Sequence, residues 1–229
     1  MDLYLNCFGA TSKTSSYYGK GKMNNLNRHS FVSIEVRIAN KDDLKQANEI
    51  AIEIENSAQS RGTGIAKRSP QYIKNKILEG KGVIAYVDNM LAGFCYIESW
   101  EGKQFVANSG LIVFPSFRRL GLARLIKGKA LELSADKFPE AKVFGLTTSL
   151  AVMTINYELG YRPVTFEKLT QDDSFWEGCK SCINYPILQS KNRKNCLCTA
   201  MLYQSEKHDT ESMNSLRKGE KNEESRFSV

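Results

Sequence analysis

Chemistry is most legible in residues 109–133, SGLIVFPSFRRLGLARLIKGKALEL. Arg118, Arg119, Leu120, Gly121, Leu122 and Ala123 form a basic, glycine-bearing turn ahead of a helical pattern. The first N–H groups of a helix have no partner inside it and carry partial positive charge. With Arg118, Arg119 and Arg124 they make a seat for a phosphate or pyrophosphate. Gly121 lacks a Cβ, so a ligand's oxygens can approach its backbone. Two elements must hold this turn. Leu111-Ile112-Val113-Phe114 is a buried strand that Pro115 ends, having no N–H to give. Leu122, Leu125, Ile126, Ala130 and Leu133 then recur at helical spacing and turn one face to the core.

A second concentration of chemistry lies in Cys179-x-x-Cys182 and Cys196-x-Cys198. Four soft ligands in two pairs suit a structural zinc, which takes four thiolates tetrahedrally. Plain reduced thiols are the alternative, and a redox pair is a third. Residues 194–203 have a strand pattern that would project Cys196 and Cys198 from one face. A zinc there would fasten the segment 170–204 to the rest of the fold. The two histidines, His29 and His208, lie in polar ends, so histidine catalysis is not expected.

At 229 residues the chain is long enough for one sizeable core and short for two. Hydrophobic residues are 41% and charged residues 25%, an ordinary globular balance, and no apolar run nears the ~20 residues of a membrane span. An integral membrane protein is therefore not expected. The net charge of +7 is scattered, with no Lys/Arg stripe interleaved with aromatics, which argues against a nucleic-acid partner. The excess suits steering of an anionic cofactor. Six cysteines without a secretory pattern favour thiols or metal ligands, and the expected compartment is the reducing cytoplasm.

Residues 1–31 and 205–229 are polar and aperiodic, and are expected to be disordered or loosely attached. One domain over residues 32–204 remains. Residues 33–39 alternate as a strand, and Asn40 caps a helix with an inner stripe of Leu44, Ala47, Ala51, Ile54 and Ala58. Ser69-Pro70 opens a second helix. A meander of three strands follows, with turns at Asp88-Asn89 and Glu101-Gly102-Lys103. After the helix from Leu122 come a strand at 142–147, a helix with Val152, Ile155 and Leu159 inward, and a strand at 161–166. The order β-α-α-β-β-β-α-β-α-β implies an α+β (α/β) fold, a mainly antiparallel mixed sheet flanked by helices.

Within that order, Val113-x-Pro115-x-x-Arg118-x-x-Gly121-x-Ala123 resembles the acyl-CoA-binding motif of the GNAT (Gcn5-related N-acetyltransferase) superfamily. The resemblance covers residues 33–166. It implies that Leu111, Ile112 and Val113 pair with the pantetheine arm of coenzyme A, and that Arg118, Arg119, Leu120, Gly121, Leu122 and Ala123 hold its pyrophosphate. Acetyl-CoA or another acyl-CoA is then the cosubstrate, and an acetyl or succinyl group moves to the amine of a small molecule. The chain also resembles a bacterial group linked to amino-acid N-acylation, glutamate included. Arg119 and Leu120 depart from the family's usual Gly and basic residue. Asn156 stands where many members carry a proton-donating Tyr. Tyr157 is ~100° further around the helix and cannot simply replace it. That departure keeps open a non-catalytic coenzyme A or nucleotide-binding regulatory module.

Transfer to an amine also needs a proton acceptor. Glu98 on the central hairpin is preferred over Ser109 and Asn108, against the plainer reading of a solvated strand glutamate. Arg61, Lys67 and Arg68 lie in the loop between the first two helices, where the family admits its acceptor. Arginine forks suit carboxylates, so an acidic acceptor such as glutamate is expected, with a merely solvated loop equally compatible.

Overall fold

Short turns between period-two runs decide the sheet. The computed structural model describes residues 32–62 and 67–204, apart from the side chain of Arg61. The extensions expected at 1–31 and 205–229 lie outside the described residues. Strands β1 (Ile34–Ile38), β2 (Gly82–Val87), β3 (Met90–Trp100) and β4 (Phe105–Val113) pair antiparallel with their neighbours. Asp88 and Asn89, at φ +48° and +64°, supply the left-handed pair that a two-residue hairpin requires. Strands β5 (Lys142–Thr147), β6 (Tyr161–Val164) and β7 (Thr199–Tyr203) complete a seven-stranded sheet of order β1-β2-β3-β4-β5-β7-β6. Only the β4–β5 pair is parallel.

Helices cover both faces. Asn40 accepts from the Asp42 N–H at 2.8 Å and caps a 3-10 turn that runs into α1 (Ala47–Arg61), so the α-helix starts later than the sequence pattern suggested. Ser69 caps α2 (Pro70–Leu78), with Pro70 opening it. Ile50, Ile54, Ile73 and Ile77 of these helices pack on Ile84, Phe94, Tyr96 and Ile112. On the opposite face, α3 (Leu122–Lys137) buries Leu122, Ile126, Ala130 and Leu133 against Val83, Ala85, Cys95, Ile97 and Val106. Its neighbour α4 (Leu150–Glu158) buries Asn156, while Val152 and Ile155 are only partly covered.

The C-terminal segment differs most from expectation. Helices α5 (Asp173–Glu177) and α6 (Tyr185–Ser190) lead into β7, which inserts between β5 and β6. No local pattern advertises that long-range insertion. Cys196 and Cys198 lie in the bend ahead of β7, not on its face. Aromatic rings pack this segment against the sheet. Phe175 meets the rings of Trp100, Phe144 and Trp176 edge-on, and Phe166 stacks on Trp176 at 5.7 Å. The Trp176 indole N–H donates to the Thr170 carbonyl at 3.0 Å. Rings of this size supply the buried area that a short, thin segment otherwise lacks.

Candidate functional site

β4 pairs with β5 only through Phe105, Val106 and Ala107, against Lys142, Val143 and Phe144. Beyond those residues the two strands are no longer paired. A cavity of about 410 Å³ opens there, lined by Asn108 to Leu111 of β4 and by Gly145 to Ser149 after the β5 core. β4 is irregular at the same place. Tyr96 pairs with Ser109 and Phe94 with Ile112, so Gly110 and Leu111 face Cys95 as a bulge. Gly110 sits at φ +66° and its missing Cβ leaves room for the Tyr96 ring. The bulge turns backbone groups of β4 away from the ladder and toward the cavity.

Polar atoms left without partners converge here. Trp100 Nε1, Asn156 Oδ1 and Asn184 Nδ2 are the buried side-chain polar atoms lacking a hydrogen bond among the described residues, and all three residues line this cavity. Native interiors pair such groups with protein or water, so the three orphans give the cavity wall free polar positions.

The basic turn stands past the end of β4, outside the cavity lining. Gly121 takes φ +78°, and nothing lies within 4 Å of the place a Cβ would occupy. It begins α3 with no side-chain cap, leaving the first N–H groups of that helix uncovered. Arg118 folds back, donating to the Val113 carbonyl at 3.2 Å and approaching Glu53 at 3.5 Å. Arg119 and Leu120 are exposed, and Arg124 pairs with Glu158. Leu111 lines the cavity, whereas the side chains of Ile112 and Leu122 are core. Val113 and Ala123 are half-buried. Ile112, Val113, Leu122 and Ala123 can therefore meet a ligand mainly through their backbone.

On the opposite wall, Glu98 accepts from the Tyr72 hydroxyl at 2.9 Å, pairs with buried Lys76, and has Lys81 at 3.6 Å. Its charge is thus held between two ammonium groups. Arg68 is the basic group of its loop that faces the cavity. Its Nε donates to the Tyr96 hydroxyl at 2.8 Å, its guanidinium lies 5.2 Å from the Tyr72 ring centre, and it has no carboxylate partner among the described residues. Lys67 instead pairs with Glu55 at the surface, 2.9 Å away. The Arg61 side chain lies outside the described residues. Burial, reinforced by Tyr96 and Glu98, pushes the Tyr72 phenol well above its ordinary range.

Asn156 is buried on α4, with its Nδ2 3.6 Å from Met201 Sδ and its Oδ1 an orphan. Tyr157 points outward. Cys179, Cys182, Cys196 and Cys198 gather at the cavity's far rim and interact electrostatically. Burial, then the neighbouring thiols, push Cys179 up to about 11 and Cys198 up to about 12. Among the described residues, however, no group of three or more His, Cys, Asp or Glu is arranged to hold a metal ion. The zinc expected from the spacing is therefore not supported: with Cys196 and Cys198 in a bend, their side chains pack against the aromatic cluster instead.

Asn108, weighed above as a proton acceptor, is tied up by other bonds, and Lys127 escaped sequence reasoning. Asn108 accepts from the Tyr161 hydroxyl at 2.9 Å and donates to Ser134 Oγ at 2.9 Å, tying β4 to β6 and α3. Lys127 of α3 is 2% exposed and lines the cavity. A signal existed: Lys127, Ala130 and Ser134 follow one another at helical spacing beside the apolar stripe.

No family model matches the chain, and no curated protein matches it. Solved structures do, and they show the fold of the GNAT acyl-CoA N-acyltransferases. N-acetylglutamate synthase from Neisseria gonorrhoeae, complexed with coenzyme A and N-acetyl-glutamate, matches at TM-score 0.53 and 17% identity over 74% of this chain. This chain spans 34% of the length of that synthase chain. Rv2747 from Mycobacterium tuberculosis, in complex with CoA and NLQ, matches at TM-score 0.53 and 15% identity, covering 74% of this chain and 98% of its own. PaiA N-acetyltransferase from Thermoplasma acidophilum, in complex with coenzyme A, matches at TM-score 0.52 and 13% identity, covering 76% and 99%.

Proposed function

We propose that this chain is an acyl-CoA-dependent N-acyltransferase whose acceptor is a small amine bearing a carboxylate, an amino acid such as glutamate. The observation that carries the reading is the opening between β4 and β5, a cavity ringed by orphan polar atoms. The fold is shared with proteins solved with coenzyme A, one of them also holding N-acetyl-glutamate. In this reading the acyl donor enters along the unpaired edge of β4, with its pyrophosphate on the uncapped start of α3 at Gly121. Backbone N–H groups at the β4 bulge face the thioester carbonyl and stabilise the oxyanion. Arg68, which has no acid of its own, takes the acceptor's carboxylate. Glu98, close to that end, assists the acceptor's ammonium through water.

The test is thiol release from acetyl-CoA and succinyl-CoA with the proteinogenic amino acids, each compared with its decarboxylated amine. Turnover of the amino acids, with the decarboxylated amines at least ~10-fold poorer, is the expected result. Turnover of polyamines or peptide lysines alone overturns the acceptor. Coenzyme binding without any turnover favours the regulatory module, for which Asn156 in the place of a proton-donating Tyr is the supporting feature.

A further inference from the structure

We propose that Lys127 is the catalytic group that receives the departing sulfur of the acyl donor, its ammonium giving a proton to the thiolate. The inference rests on the reading of the cavity as an acyl-CoA site. Lys127 projects from α3 into the space where β4 and β5 part, and it is 2% exposed. Its ammonium has neither a hydrogen bond nor an ion pair among the described residues, and the nearest π-face is the Tyr161 ring, 5.1 Å from Nζ to centroid. Buried cations are ordinarily paired, and one left unpaired beside a cavity lacks an anion that a ligand can bring.

Four other ionisable groups around the cavity are poorer proton donors. Burial holds the proton more tightly on Tyr72, Tyr96, Cys179 and Cys198, while on Lys127 the same burial loosens it. Asn156, the buried α4 residue on that wall, carries an amide and has no acidic proton. The Cys95 thiol is an electrostatic neighbour of Lys127, but burial holds the proton on that thiol; a thiolate that exists only during turnover accounts for a cation with no permanent anionic partner.

The step balances as follows. The acceptor nitrogen forms a bond to the thioester carbon and the oxyanion develops. The carbon–sulfur bond then breaks, its electron pair staying on sulfur. An Nζ proton passes to sulfur, leaving coenzyme A as thiol and Lys127 as neutral amine. The nitrogen's proton leaves to solvent, and Lys127 is reprotonated from solvent. Before that transfer the sulfur is a thiolate facing the Lys127 ammonium, and free coenzyme A, its thiol proton released to solvent, binds in the same state.

That last state can be measured without an acceptor. Free coenzyme A and S-methyl-coenzyme A, which has no thiol, are titrated calorimetrically into the full chain and into Lys127→Met, and thiolate ultraviolet absorbance is followed at neutral pH. The wild type is expected to bind free coenzyme A ~10-fold more tightly than the S-methyl compound, with thiolate absorbance appearing on binding. Lys127→Met should lose both effects while keeping its affinity for S-methyl-coenzyme A. Equal binding of the two ligands by the wild type, with no thiolate signal, overturns the role of Lys127 and leaves the cavity reading standing. Binding of neither ligand overturns both. Methionine removes an uncompensated buried charge, so the variant should melt no lower than the wild type; if it nevertheless misfolds, the wild-type absorbance decides.

Discussion

The two sides of the β4–β5 opening are built by different means. The N-terminal side is made of the hairpins β2–β3 and β3–β4, with β1 paired to β2 across two intervening helices, and of helices whose stripes match the 3.6-residue period. The C-terminal side is closed by β7, which reaches back between β5 and β6, and by aromatic rings from six separate places in the chain. Local contacts position the turn at Gly121, whereas long-range contacts shape the far wall of the cavity. One sheet can therefore combine a stiff binding edge with a wall that owes its form to a few large side chains.

Removing the central ring should break the second side first. Trp176→Ala loses the stack on Phe166, the edge contact with Phe175 and the bond to Thr170. A loss of about 3–5 kcal/mol is expected in urea unfolding, with residues 170–204 opening first under limited proteolysis. A loss below about 1 kcal/mol would mean that the segment is fastened elsewhere.

On the first side the effect should be on binding more than on folding. Gly121→Asp has space for its side chain, yet it needs a left-handed backbone and brings negative charge to a helix start. We expect acetyl-CoA affinity to fall by ~10-fold or more, with a stability cost of about 1 kcal/mol. Unchanged affinity in the folded variant would remove the turn from the donor site.

Arg68→Met sharpens the comparison at the acceptor end. The KM for a carboxylate-bearing acceptor should rise ~10-fold with kcat changed less, because ground-state binding is what is lost. An equal loss with a decarboxylated amine would show that Arg68 shapes the wall through Tyr96 and Tyr72 instead. The smallest effect belongs to the cysteines. Cys179→Ser with Cys182→Ser should cost no more than about 1 kcal/mol, and a chelator should leave the melting temperature unchanged. A melting temperature lowered by chelation would restore the metal.

These contrasts follow what the sequence made legible. Leu111 to Phe114, Pro115 and Gly121 announce strand, stop and turn within a dozen residues, and the structure places each accordingly. Arg68 was found with Lys67 and Arg61 as a basic loop, but only tertiary packing turns Arg68 to the cavity and Lys67 to Glu55. Glu98 was found as an inward strand carboxylate, while its lysine partners come from α2 and the start of β2. Asn156 was visible only as a departure from a pattern. The four cysteines invited a local rule of ligand spacing, and the bend ahead of β7 set two of them otherwise. Lys127 has helical spacing with Ala130 and Ser134, but only the tertiary fold brings the Tyr161 ring of β6 to its ammonium.

The central claim is that an acyl-CoA lies along the unpaired edge of β4 and reaches the start of α3. Backbone hydrogen exchange with saturating acetyl-CoA addresses it directly. Added protection is expected in residues 108–113, 121–125 and 145–152, and little change in β1 and β2. No binding, or protection confined to other parts of the sheet, would contradict the account.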